Sequence, residues 1–110
     1  MAFFLMRCLH KPDQDAARDT ERPRHREWVA SGGDGLVSVL IGSALCDDDG
    51  RSVGNFGILE AANLADARAF AEGDPFHRAG IVDIFELTPL PDTLQADHIE
   101  RPMSPRIARE

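Results

Sequence analysis

The chain contains no run of about twenty apolar residues, so no segment of it reads as a membrane-spanning helix. It also lacks a basic surplus. Twelve Lys and Arg stand against nineteen Asp and Glu, a formal charge of -7. That balance excludes a phosphate-gripping surface, and with it nucleic acid as a partner. Cysteine is scarce: only Cys8 and Cys46, without CxxC spacing. A disulfide framework or a zinc site is excluded on that ground, and both are expected to be isolated thiols, most simply buried ones. No glycine-rich loop precedes a helix, because Gly32-Gly33-Asp34-Gly35 follows one and leads into a strand. It reads as a turn and not a phosphate cradle. Asp47-Asp48-Asp49-Gly50 lacks the spacing and terminal Glu of a calcium loop and reads as a solvated turn. There is no internal repeat. The apolar opening, Met1 to Leu9, is too short for a signal segment and has no basic start, so the expected location is cytoplasmic, without a membrane partner.

What is present fits one domain of 110 residues with a modest core. Ala2 to Leu9 is a near-continuous apolar run and predicts a central strand covered on both faces. Arg7 interrupts it, either as an anion holder at a wet cavity or as a solvated, salt-bridged residue. His10 to Thr20 reads as a polar loop with one helical turn at Asp15 to Arg18. Pro23 suits the first turn of a helix running to Ala30 and stopped by Gly32 and Gly33; a helix reaching further back would be kinked at Pro23. In that helix His25, Trp28 and Val29 share one face.

Leu36 to Leu45 and Val53 to Ala61 read as two further strands, with Gly42 marking a bulge or close backbone approach. Asn63 caps a second helix, Leu64 to Ala71. Ile81 to Thr88 reads as the last strand, ended by Pro89 and Pro91. The order βαββαβ predicts an α+β, ferredoxin-like domain, a four-stranded antiparallel sheet with two helices on one face. The other face would be bare and apolar, and predicts a homodimer as its second layer. The domain is set at residues 1–91. The polar tail from Asp92 to Glu110 is expected to be mobile or docked on a partner subunit.

Between the second helix and the last strand lies Gly73-Asp74-Pro75-Phe76-His77-Arg78-Ala79-Gly80. Pro75 forces Asp74 out of the helical region and suits the start of a new turn, with Asp74 as its N-cap. The Gly-Asp-Pro-Phe element, the following Ala-Gly and strand, and a helical His within Arg-Pro-Arg-His-Arg-Glu-Trp together resemble the YciI-like family. The resemblance covers Phe3 to Pro91. It implies a ferredoxin-like fold paired as a dimeric α/β barrel, and a His25–Asp74 pair in the active site. Where the family often has Gly-Pro, this chain has Gly42-Ser43.

From the residues alone, His25 is the candidate base, since imidazole changes charge near neutral pH and a carboxylate would orient one of its nitrogens. A structural hydrogen bond between helix and loop explains the same pair. With the resemblance, His25 and Asp74 are the expected catalytic residues. Arg7, Ser43 and Phe76 are the expected substrate contacts, and no metal or other cofactor is called for. A metal site from His25, Asp74 and His77 lacks the spacing of a zinc signature. The expected activity is acid–base isomerisation or elimination on a small, anionic or ring-shaped molecule. The alternatives are a non-catalytic dimeric ligand-binding or accessory protein using the same cleft, and a purely structural dimer.

Overall fold

The computed structural model describes residues 1–107. Four strands, β1 (Ala2–His10), β2 (Val37–Cys46), β3 (Ser52–Ala61) and β4 (Val82–Leu90), form one sheet in the order β2-β3-β1-β4. All neighbouring pairs are antiparallel. Helices α1 (Asp15–Ala30) and α3 (Leu64–Gly73) connect β1 to β2 and β3 to β4, with the four-residue turns α2 (Gly32–Gly35) and α4 (Pro75–Arg78) after them. This is the predicted βαββαβ order and the ferredoxin-like topology.

The two sheet faces are built differently. Phe4, Met6 and Cys8 of β1, Val37 and Val39 of β2, and Leu59 and Ala61 of β3 pack with Ala67, Phe70, Ala71, Phe76 and Ile81 in the main core. Strand alternation sends Phe3, Leu5, Arg7 and Leu9 the other way. There Phe3, Leu40 and Ala96 form a second cluster with Ile58, Leu90, Leu94 and Ile99.

α1 begins eight residues before the expected Pro23, which lies inside the helix. The residues read as loop supply ion pairs that suit a helix, buried Arg18 with exposed Asp15 and Arg22 with Asp19, each at i,i+3. Pro89 does not end β4 but pairs with Phe4 within it. An edge strand tolerates this, because the missing N–H faces away from the ladder. Asn63 caps α3 as expected, its side-chain oxygen accepting from the Asp66 amide at 2.8 Å.

The tail, expected to be free or on a second subunit, lies on its own sheet as far as it is described. The Met103 and Ser104 amides donate to the Val39 carbonyl at 2.9 and 3.1 Å, extending the β2 edge. The Ser104 hydroxyl accepts from the Val39 amide at 2.7 Å, and Arg106 donates to buried Glu60 at 2.7 Å. The apolar residues spaced through this polar segment (Leu94, Ala96 and Ile99) are what hold it down. Residues 108–110 of the expected tail lie outside the described residues.

Candidate functional site

Trp28 decides where α1 sits. Its indole N–H donates to the Phe70 carbonyl at 3.1 Å, and its ring stacks with Phe70 at 5.9 Å. The ring also lies over Gly73, where a Cβ would come within 2.6 Å of it. Gly73 therefore admits the indole, and one helical turn before Trp28 comes His25. The backbone right after Gly73 is extended at Asp74 (φ -59°, ψ 132°), as Pro75 requires. His25 and Asp74 are thus brought together from opposite sides of the same contact.

His25 Nδ1 lies 2.9 Å from both carboxylate oxygens of Asp74. One of those oxygens also accepts from the Phe76 amide at 2.8 Å and caps α4. The capping role and the histidine pairing expected of Asp74 therefore coexist in one buried side chain. A carboxylate only accepts, so Nδ1 carries the proton and Nε2 is left bare. Among the described residues Nε2 has no partner, and it is not an enclosed orphan atom. Phe76 stacks flat on the imidazole, with centroids 4.0 Å apart and planes 5° from parallel.

On the far edge of Phe76 stands a second imidazole, His10, at 5.6 Å and nearly perpendicular. Arg18 approaches His10 Nδ1 at 3.1 Å, while His10 Nε2 lies 2.8 Å from Asn55 Oδ1. A guanidinium only donates, so here Nδ1 is bare and Nε2 carries the proton. Burial holds the His10 pKa below its ordinary value; the Asn55 hydrogen bond opposes this and the nearby Arg18 charge adds to it. The buried Arg18 is itself fixed by Asp15 and by the Ser52 carbonyl at 3.2 Å. Cys8, beneath them, has its thiol pushed up to about 12 by burial and by the Asp74 charge, and is no nucleophile. Cys46, expected to be buried like Cys8, is exposed at the end of β2.

These groups open onto one cleft of about 320 Å³, lined by His25, Asp74, Phe76, His10, Asn55 and the α1 residues Arg18, Arg22 and Arg26 among others. The three arginines recur every fourth residue and so lie on one side of α1. Arg22 pairs with Asp19, and Arg26 makes no ion pair among the described residues.

Of the expected substrate contacts, Phe76 is at the cleft. Arg7 is not: it is exposed on the opposite sheet face, since its neighbours Met6 and Cys8 point into the core. Ser43 borders the cleft, but its side chain follows Arg7. The register sets Ser43 opposite Phe56, and Phe56 opposite Arg7. The cause is a bulge at Leu40, between the pairs Val39↔Leu59 and Ile41↔Ile58, which reverses the alternation along β2. His77 packs edge-on against Phe85 at 5.5 Å and does not line the cleft. No cluster of three or more metal-ligating side chains occurs among the described residues.

His10, Arg18, Asn55 and Met103 also line the cleft and were not read from the sequence. His10 was legible by parity, two residues past Cys8 on the core face. The arginine row was hidden by starting α1 at Pro23.

A model of the YCII-related domain matches residues 2–91. The chain belongs to the YCII-related family. No protein with a curated description matches it. Among solved structures it is similar to the 5-chloro-2-hydroxyhydroquinone dehydrochlorinase of Burkholderia phenoliruptrix, in complex with 2,5-dihydroxybenzoquinone. That match has 21% identity and a TM-score of 0.68, over 81% of this chain and 93% of that one. It is also similar to a protein from Bacteroides thetaiotaomicron described as a candidate antibiotic biosynthesis monooxygenase. There the identity is 15% and the TM-score 0.51, over 84% of this chain and 90% of that one. Both likenesses concern the fold alone, the ferredoxin-like βαββαβ unit.

Proposed function

We propose that the cleft is the active site of a general acid–base enzyme acting on a small, ring-shaped anion, with His25 as base and Asp74 as its orienting partner. The observation that carries this reading is the pairing of His25: both Asp74 oxygens lie 2.9 Å from Nδ1, which leaves Nε2 as the nitrogen for substrate. Asp74 would stabilise the imidazolium once Nε2 has taken a proton. Phe76 holds the imidazole flat against one wall. Arg22 and Arg26 give the cleft a positive rim in a chain of net charge -7, which favours an anionic substrate.

The dehydrochlorinase with the same fold suggests the reaction class, elimination from a hydroxylated ring. The step balances within the substrate. One hydroxyl proton first moves to the chlorine-bearing ring carbon, giving the keto tautomer. Nε2 then takes the proton of a second hydroxyl, that O–H pair forms C=O, the ring double bond shifts, and the C–Cl pair leaves as chloride. The products are the hydroxybenzoquinone and HCl. The test is chloride release from 5-chloro-2-hydroxyhydroquinone, followed with an ion-selective electrode. Wild type should release chloride, and His25→Gln should be slower by about 10²–10⁴-fold, the usual worth of a positioned base. Equal rates would sink the proposal.

A second reading is favoured by one fact: Asp74 already serves the fold by capping α4. A protein that binds ring anions without turning them over would use the same cleft. It would bind 2,5-dihydroxybenzoquinone and release no chloride.

We also propose that the outer sheet face pairs with a second copy. The rows Ile41-Ile58-Leu5 and Leu45-Gly54-Leu9-Ile84 lie there, and Ile41 and Ile84 are 45% and 51% exposed. The tail covers the row at Phe3 and Glu60 and packs against the edge of the next one at Ile58. Sedimentation should give a dimer, and Leu5→Glu should give a folded monomer. A wild type that stays monomeric at high micromolar concentration would refute the pairing.

A further inference from the structure

The family match ends at Pro91, yet one residue beyond it reaches the cleft. Met103 lines the cleft and is 46% exposed, unusual for a thioether on a segment that is otherwise pinned. The pinning is specific. The Met103 amide donates to the Val39 carbonyl, and the next residue, Ser104, is buried and bonds both backbone groups of Val39. The thioether then fills the space over Gly42, where a Cβ would lie 3.6 Å from its sulfur and 2.8 Å from the Phe56 carbonyl. The Phe56 carbonyl of the neighbouring strand is what keeps Gly42 without a side chain, and the Met103 sulfur sits at van der Waals distance above it.

We propose that Pro102–Ser104 is a wall of the cleft and that Met103 is a specificity-determining contact for the flat face of an aromatic or quinonoid ring. This rests on the reading of the cleft as a ring-anion site. A thioether is polarisable and makes favourable contacts with aromatic rings, whereas it offers a charged group nothing. The arginine rim would hold the charge of the ligand, and Met103 would read its ring. Ser104 is a positioning residue, acting through Val39.

The test uses the full chain with ¹³C-methyl methionine, titrated with benzoate and with cyclohexanecarboxylate, two anions of the same charge and similar size. Met103, Met6 and the His25 imidazole should all shift with benzoate, while Met1, outside the cleft, stays still. Met103→Ala should weaken benzoate by roughly three- to tenfold, the range of a sulfur–ring contact, and leave cyclohexanecarboxylate unchanged. Ser104→Ala should weaken benzoate in the same selective way. Shifts at His25 and Met6 without Met103 would overturn the wall and leave the ring-anion reading standing. Equal weakening of both anions by Met103→Ala would overturn the specificity role. No shift at any of the three would overturn the wall together with the ring-anion reading.

Discussion

Two imidazoles flank Phe76, and their surroundings give them opposite tautomers. His25 meets a carboxylate, which can only accept, and so holds its proton on Nδ1. His10 meets a guanidinium, which can only donate, and so holds its proton on Nε2. Both nitrogens of His10 are occupied, by Arg18 and Asn55. One nitrogen of His25 has no partner among the described residues, and the residue lines the cleft. Residue type and aromatic neighbour are shared, so partners alone separate a candidate base from a structural pin. The lesson is that a histidine in a cleft is judged by which of its nitrogens is already spoken for.

The comparison can be broken most severely at Asp74. Asp74→Ala removes the His25 partner and the α4 cap together, and should lower stability by about 2–4 kcal/mol, read as a fall in the urea midpoint. Asp74→Asn keeps an oxygen for the cap and should lose roughly half as much. Equal losses would mean that the histidine, not the cap, is the whole of the role of Asp74, and no loss in Asp74→Asn would mean the reverse.

A smaller effect should come from His10 through pH. Its pKa is lowered on folding, so the native state favours the neutral ring. The unfolded chain takes up its proton first as pH falls below 6.5. The His10 contribution is therefore complete above that value and is lost progressively as pH drops toward the lower native one. Urea midpoints should fall over this window in wild type, and the part due to His10 should vanish in His10→Gln. An unchanged pH profile in the variant would contradict the occupied-nitrogen account.

Much of this was legible in the chain. The βαββαβ order followed from apolar periods, and the turn at Asp74 from the proline after it. His25 and Trp28 shared a helical face, though only the contact of the indole with Gly73 explains how that face finds Asp74. The failures have physical causes. A one-residue bulge at Leu40 cannot be seen in an apolar run, and it carried the Ser43 side chain to the wrong face. Arg7 was assigned to a cavity on its charge, against the parity of its own neighbours. The tail was expected to be mobile or to dock on a partner subunit through its apolar residues, while Leu94, Ala96, Ile99 and Ser104 lay it on its own sheet.

The most direct test of the account is the long-range ¹H–¹⁵N NMR spectrum of the imidazoles, recorded above pH 6.5 or so, where an ordinary ring is neutral. The account predicts the Nδ1–H form for His25 and the Nε2–H form for His10. Finding His25 with its proton on Nε2 would contradict it, because the nitrogen assigned to the substrate would then be unable to accept a proton.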